Sequence, residues 1–215
     1  MPKVRLRTKG RSVSSKRWLE RQLNDPYVAR AKAAGLRSRA AFKLAEIDDR
    51  HHLLKVGRSV VDLGAAPGSW CQVLRERLGP SARIVALDLL PMDPVPGVHV
   101  VQADFREDAG VAELAKALAG RKADLVLSDL APNLSGVESA DQARSVYLGE
   151  LALEFSAQWL QPGGDLVVKA FQGEGFPEFQ RAMQGRFDKV YARKPKASRD
   201  RSREVYLVGK GHVAG

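Results

Sequence analysis

The stretch Ser59-Val-Val-Asp-Leu-Gly-Ala-Ala-Pro-Gly-Ser-Trp70 constrains this chain more than any other. Val60, Val61 and Leu63 form an apolar, β-branched run that reads as a buried parallel strand. The run stops at Gly64-Ala-Ala-Pro-Gly68, a turn of small residues, and a helical pattern opens at Trp70 and continues over 70–78. Strand, glycine turn and helix in that order build a crevice for a nucleotide cofactor. Residues without bulk let backbone N–H groups approach a ligand, and the helix N-terminus adds partial positive charge. The spacing is Gly-x-x-x-Gly, not the Gly-x-Gly-x-x-Gly of dinucleotide binders, which disfavours a pyrophosphate clamp.

From Ser59 onward, strand and helix alternate. Strands are expected over 59–63, 83–88, 98–104, 124–129 and 165–169, with helices over 70–78, 111–118, 139–160 and 176–183. Pro162-Gly163-Gly164 is expected to stop the long fourth-strand helix. Two final strands, 187–192 and 203–208, have no helix between them and read as an antiparallel finish. The pattern predicts an α/β, Rossmann-like doubly wound domain: seven strands, mostly parallel, over 59–209. Ahead of it, 15–58 reads as a basic helical extension. Ser14 or Ser15 caps a short helix to Leu23, Asp25-Pro26 opens a second that ends near Gly35, and Ser38 caps a third. Residues 1–14 carry Lys3, Arg5, Arg7, Lys9 and Arg11 with no acid, and read as a disordered arm.

The chain of 215 residues is long enough for one full-core domain. No run of about 18 apolar residues is present, so no membrane span is expected, and the basic N-terminus lacks the apolar stretch of a signal peptide. A single cysteine, Cys71, excludes an internal disulfide and fits a reducing, cytoplasmic setting. The four histidines show no metal-ligand spacing, and no metal is expected.

Charge is unevenly spread. Residues 1–58 hold 16 Lys/Arg against 5 Asp/Glu, 59–184 hold 10 against 17, and 185–215 hold 9 against 3. An acidic middle flanked by two basic ends points to a polyanionic partner held by the ends.

In open α/β sheets, ligands sit beyond the carboxyl ends of the strands. Asp62, Asp88, Asp104, Asp129 and Lys169 all fall there. Four carboxylates and a lysine at one edge are poor for stability, so a functional reason is expected. Asp88 lies 24 residues after Gly64, where an acid accepts from both ribose hydroxyls of an adenosine. That fits a nicotinamide dinucleotide or S-adenosylmethionine. Asp104, one strand further, is placed to meet the exocyclic amine of adenine.

These residues carry a family resemblance. Leu36-Arg-Ser-Arg-Ala-Ala-Phe-Lys43-Leu, Val61-Asp-Leu-Gly-Ala-Ala-Pro-Gly-Ser-Trp70, Asp88-Leu-Leu-Pro-Met-Asp-Pro, Ser128-Asp-Leu-Ala-Pro-Asn-Leu-Ser-Gly136, Val168-Lys-Ala-Phe-Gln-Gly-Glu-Gly-Phe176 and Ser198-Arg-Asp-Arg-Ser-Arg-Glu-Val-Tyr206 occur in that order. Over about residues 15–209 the chain resembles the FtsJ family of ribosomal RNA large-subunit methyltransferases, which act on a uridine ribose 2′-hydroxyl. The resemblance implies S-adenosylmethionine held by Gly64, Gly68, Trp70, Asp88, Asp104 and Asp129. It implies a catalytic tetrad of Lys43, Asp129, Lys169 and Glu204. It implies large-subunit rRNA, in the 50S particle, as partner. Ser69 departs from the family, which usually has a second glycine there; a modest effect on cofactor affinity is expected.

The chemistry is consistent with that tetrad. A ribose hydroxyl is a weak nucleophile and must lose its proton as it attacks the methyl group. A lysine can serve as the base only if a second cation and partial desolvation disfavour its proton, and Lys43 supplies that second cation for Lys169. Methylation of a pyrimidine carbon would need a thiolate, and Cys71 sits in the first turn of a helix with no second cysteine. Methylation of a base amine goes with an aromatic residue where Asp129-Leu-Ala-Pro-Asn133 has Asn133. RNA contact is expected from Arg37 and Arg39 ahead of Lys43, and from Arg193, Lys194, Lys196, Arg201 and Arg203 ahead of Glu204. A monomer is expected. The competing readings are an NAD-dependent oxidoreductase and a non-catalytic RNA-binding factor in ribosome assembly.

Overall fold

A computed structural model describes residues 24–213 apart from positions 134 and 200. The basic arm over 1–14 and the helix expected to end at Leu23 lie outside the described residues. The elements that follow are α1 (Pro26–Ala33), α2 (Ala40–His51), β1 (Ser59–Leu63), α3 (Ser69–Leu78), β2 (Arg83–Asp88) and β3 (Val98–Gln102). After them come α4 (Asp108–Leu118), β4 (Ala123–Ser128), α5 (Glu138–Trp159), β5 (Leu160–Phe171), α6 (Phe176–Gln184), β6 (Phe187–Arg193) and β7 (Glu204–His212).

The strands form one seven-stranded sheet in the order β3-β2-β1-β4-β5-β7-β6. All neighbours are parallel except β7, which runs antiparallel to both β5 and β6. The order reverses between β1 and β4, so the crevice of a doubly wound sheet opens beyond Leu63 and Ser128. The expected α/β architecture and antiparallel finish are both present.

Alternation along each strand divides the core in two. Val61, Leu63, Val85, Leu87, Val126 and Val168 pack against Leu114 of α4, Phe155 of α5 and Phe179 of α6. Val60, Ile84, Leu125, Leu127, Val167 and Tyr206 face the other way, onto Leu44 and Ile47 of α2 and Trp70 and Leu74 of α3. The described part of the extension, through α2, therefore shares one outer layer of the domain with α3.

Local chemistry sets the helix ends. Asp25 caps α1 by accepting from Tyr27 N at 3.0 Å, with Pro26 at the first position and Gly35 beyond the end at φ +66°. Ser38 Oγ accepts from Ala40 N at 3.1 Å at the start of α2, one residue ahead of the cap position. At the far end of α2, Asp48 Oδ1 accepts from Leu53 N and Leu54 N, both at 2.8 Å. Asp48 Oδ2 and Asp49 Oδ1 take Arg77 of α3 at 2.5 and 2.8 Å.

One expected boundary is corrected. Pro162-Gly163-Gly164 does not terminate the long helix, because α5 ends at Trp159 and Leu160 is already extended. Leu160 pairs with Ala123 at the foot of β4, and the register then shifts before Leu125 meets Asp165. The Pro-Gly-Gly run lies inside β5, where it takes up that irregularity.

Asp48→Ala strips two backbone donors and Arg77 of their acceptor in a buried place. A loss of about 3 kcal/mol is expected in equilibrium urea unfolding, with far-UV circular dichroism of the folded state unchanged.

Candidate active site

The glycine turn is built by close approach. A Cβ on Gly64, at φ +78°, would lie 2.9 Å from Leu130 N in the segment after β4. A Cβ on Gly68, at φ +96°, would lie 2.5 Å from Arg37 Nη1 and 2.8 Å from Met92 Sδ. Both positions thus require glycine by backbone angle, and Gly64 also by space, since its neighbours are backbone. The turn floors a cleft of about 750 Å³, a size suited to a nucleoside-containing ligand. Gly64, Asp88, Asp104 and Asp129 all line it, with Phe105, Pro132 and Tyr147 among its apolar walls.

Asp88 Oδ2 accepts from Ala66 N at 2.9 Å and Oδ1 from Leu90 N at 2.8 Å. Each oxygen keeps a further lone-pair direction for ligand hydroxyls. Asp104 stands at the rim in a 2.5 Å ion pair with Arg106, whose hydrogen bonds hold its carboxyl at about 2. Asp62 is fully buried behind the turn. Cys71 Sγ donates to its Oδ2 at 3.3 Å, while Oδ1 has no protein partner. Burial raises its carboxyl to about 7, with Asp129 and Asp88 adding repulsion. A glycine floor, two ribose-accepting Asp88 oxygens and the carboxylates of Asp104 and Asp129 in the lining fit a cationic adenosine-type cofactor such as S-adenosylmethionine.

Two expected cofactor residues, Gly68 and Trp70, are not among the residues lining the cleft. The Trp70 ring is not a wall of the cleft: it is 2% exposed, in the core beside Tyr206, and Nε1 donates to Ala40 O at 2.8 Å. Gly68 lies under Arg37 and Met92. Trp70 docks α2 onto the helix that opens at the turn.

The expected tetrad is brought together, and a fifth residue joins it. Lys169 Nζ sits 3.0 Å from Asp129 Oδ1 and donates to Asp129 O at 2.6 Å. Lys43 Nζ pairs with Glu204 Oε1 at 2.7 Å, and Ser198 Oγ donates to the same oxygen. Tyr206 connects the two pairs, accepting from Lys43 Nζ at 3.3 Å and donating to Asp129 Oδ1 at 2.6 Å. Burial, then Asp129 and Glu204, raise the Tyr206 phenol well above its ordinary value, so it remains a donor. Tyr206 lies directly opposite Lys169 across β5 and β7, and Glu204 opposite Phe171. The sequence signal for Tyr206 was its spacing of two from Glu204, which puts both on one face of a strand.

The expected RNA-facing residues divide. Arg37 donates to three carbonyls, Pro67 O at 2.9 Å, Asp93 O at 2.6 Å and Pro94 O at 2.8 Å, so its guanidinium is a clasp on the turn. Arg39 pairs with Asp25 at 2.6 Å, and Arg203 with Glu138 at 2.7 Å. Arg193 donates to His51 Nε2 at 2.8 Å, and Lys194 to Ser202 O at 2.7 Å. Lys196 and Arg201 are exposed. Ser69, at 3% exposure, accepts from Ser38 Oγ at 2.8 Å and so gives the extension an extra tie to the turn.

Comparison with known proteins follows this geometry. The family profile of FtsJ-like methyltransferases matches residues 36–212. A ribosomal RNA large subunit methyltransferase E from Azoarcus sp. (strain BH72) is 63% identical over 199 residues, covering 93% of this chain and 97% of that protein. The protein of the same name from Methylobacillus flagellatus is 55% identical, covering 93% and 96%. A crystal structure titled as a putative ribosomal RNA methyltransferase from Plasmodium falciparum superposes with a TM-score of 0.74 at 33% identity, covering 83% of this chain and all of that one.

The Asp62 carboxyl makes a testable pH signature. Its folded value is raised above the unfolded one, so the native state keeps a proton that the unfolded chain has released between pH 3.8 and about 7. Stability from this group therefore falls as pH rises through that window. Asp62→Asn removes the effect: its stability relative to the parent should improve by roughly 2–3 kcal/mol between pH 5 and pH 8 in paired denaturation curves.

Proposed function

The chain belongs to the FtsJ-like methyltransferase family, and from that premise we propose that it methylates the 2′-hydroxyl of a uridine ribose in large-subunit ribosomal RNA, with S-adenosylmethionine as donor. The observation that carries the reading is the buried network Lys169–Asp129–Tyr206–Lys43–Glu204 at the strand ends, adjoining the cleft through Asp129. A module that only bound RNA would have no use for two lysines and two carboxylates locked together out of solvent. The 50S particle is the proposed substrate, met by a monomer in the cytoplasm. No described helix is long and apolar enough to cross a membrane.

Asp88 would hold the ribose of the cofactor, Asp104 its adenine edge and Asp129 its methionine end, with Asp62 behind the turn adding negative potential. S-adenosylmethionine, when bound, supplies an electrophilic methyl group on a sulfonium. Lys169 spends two of its three N–H directions on Asp129, one on the carboxylate and one on the carbonyl. The third is left to orient the acceptor hydroxyl, and in the neutral amine the same direction is the lone pair that takes its proton. Lys43 raises the local positive potential and is kept from drifting by Glu204 and Tyr206. Tyr206 holds Asp129 Oδ1 in place, so the two lysines stay in one geometry through turnover.

Transfer of labelled methyl to large subunits lacking the modification tests the assignment. Label confined to one nucleotide and resistant to alkaline cleavage is expected. Lys169→Met should lower the rate by about 10²–10⁴-fold while leaving cofactor affinity within a few-fold. No transfer to particles or to free rRNA would sink the ribosomal assignment.

Arg37 separates cofactor from RNA roles. Since its guanidinium grips the turn and the 93–94 segment, Arg37→Gln should weaken S-adenosylmethionine binding about tenfold by calorimetry. The salt dependence of RNA binding should be unchanged.

A further inference from the structure

One cluster of cations has no part in the reaction proposed above. In the antiparallel pair of β6 and β7, Lys189 lies opposite Lys210, Tyr191 opposite Val208 and Arg193 opposite Tyr206. Directly opposed residues share a face, so these side chains stand on the same side of the sheet as Tyr206, the side covered by α2. The end of α2 adds Arg50 and His51, which with Lys189, Tyr191 and Lys210 border a shallow recess of about 440 Å³.

Two of these cations, Arg193 and Lys210, are held differently from Arg58 and Arg77. Arg58 and Arg77 are each neutralised by a carboxylate, Asp165 at 2.9 Å and Asp48 at 2.5 Å. Arg193 instead donates to His51 Nε2 at 2.8 Å, and Lys210 Nζ donates to His51 O at 2.8 Å. Burial and the two cations lower the His51 imidazole, which keeps it a neutral acceptor. The guanidinium of Arg193 also lies 4.9 Å from the centre of the Tyr191 ring, which packs 4.9 Å from the His51 ring. Arg193 and Lys210 are thus positioned by neutral groups, whereas Arg50 pairs with Glu46 at 3.7 Å. Asp188 is the single acid lining the recess, against Arg50, Lys189 and Lys210.

The strip is continuous with the catalytic network. Arg193 is level with Tyr206 and Lys169 across the sheet. Lys189 lies four residues further down β6, about 13 Å away. We propose that this strip is a second RNA-binding surface, which grips the phosphodiester backbone of the strand flanking the acceptor nucleotide. The inference rests on the ribosomal RNA reading above. An acidic protein face is the weaker candidate, because the strip begins beside the site where the ribose must sit.

The test is the double charge reversal Lys189→Glu/Lys210→Glu in the full chain, with its folding checked by thermal melting. Binding of a fluorescent single-stranded RNA and of an RNA duplex is read by anisotropy over a salt series, without cofactor. Affinity for at least one probe should fall at least tenfold, and the slope of log K against log salt should become shallower by about 1.4 to 1.8. With large subunits, KM should rise while kcat at saturating substrate and S-adenosylmethionine affinity stay as in the parent. Unchanged RNA affinity and slope would overturn the inference. So would a raised KM for particles with unchanged binding of protein-free RNA, which would assign the strip to a ribosomal protein. If the parent transfers no methyl to ribosomal RNA, the ribosomal reading fails by itself, and the anisotropy series still decides whether the strip holds phosphates.

Discussion

The Tyr206 hydroxyl accepts from Lys43 and donates to Asp129, and this pair of hydrogen bonds joins two ion pairs from different parts of the chain. Lys43 comes from the helical extension, Lys169 and Asp129 from parallel strand ends, and Glu204 from the antiparallel strand. None of these groups is more than lightly exposed. Charges taken this far out of water are tolerated only when every partner is met. The antiparallel entry of β7 makes that possible, because it places Tyr206 directly against Lys169 and Glu204 two residues above it. A parallel last strand would carry the same residues past the site in the opposite order.

The extension is bound into this arrangement through the cofactor turn. Arg37 clasps Pro67, Asp93 and Pro94, Gln72 spans Arg37 N and Gly35 O, and Trp70 and Ser69 are tied to Ala40 and Ser38. The helix that carries Lys43 is therefore seated on the helix that opens at the glycine turn. Anything that moves the turn moves one of the two lysines. Ser69 strengthens the tie, and its hydroxyl is buried and bonded instead of straining the turn.

Most of the sheet was legible in the sequence, since parallel strands buried on both faces read as unbroken apolar runs: β1 and β2 are found at their expected bounds. The Pro-Gly-Gly run misled because breaker residues mark a boundary only when no neighbouring strand demands extension, and Ala123 demands it of Leu160. In the site, Asp88, Asp129 and Lys169 could be read from their place after strands. Tyr206 could not be singled out so readily, as an apolar ring with one polar atom looks like core. Arg37 misled in the other direction. A basic residue in a basic segment reads as a phosphate contact, and only the fold shows three carbonyls converging on it.

Asp62 shows how far the site departs from what stability alone would select. Its carboxyl is fully buried, with one oxygen lacking any protein partner and two other carboxylates close enough to repel it. Replacing such a group with an apolar or amide residue of similar volume would relieve the fold. The charge is tolerable only if something returns the lost solvation. A ligand carrying positive charge does so, because its arrival favours the ionised form that burial penalises. A neutral adenosine ligand, or one whose inner end were anionic, would leave the penalty in place or enlarge it. A cation held in the adjoining cleft would act on this carboxyl through the intervening turn and favour its ionised form, whereas an anion would favour the protonated one.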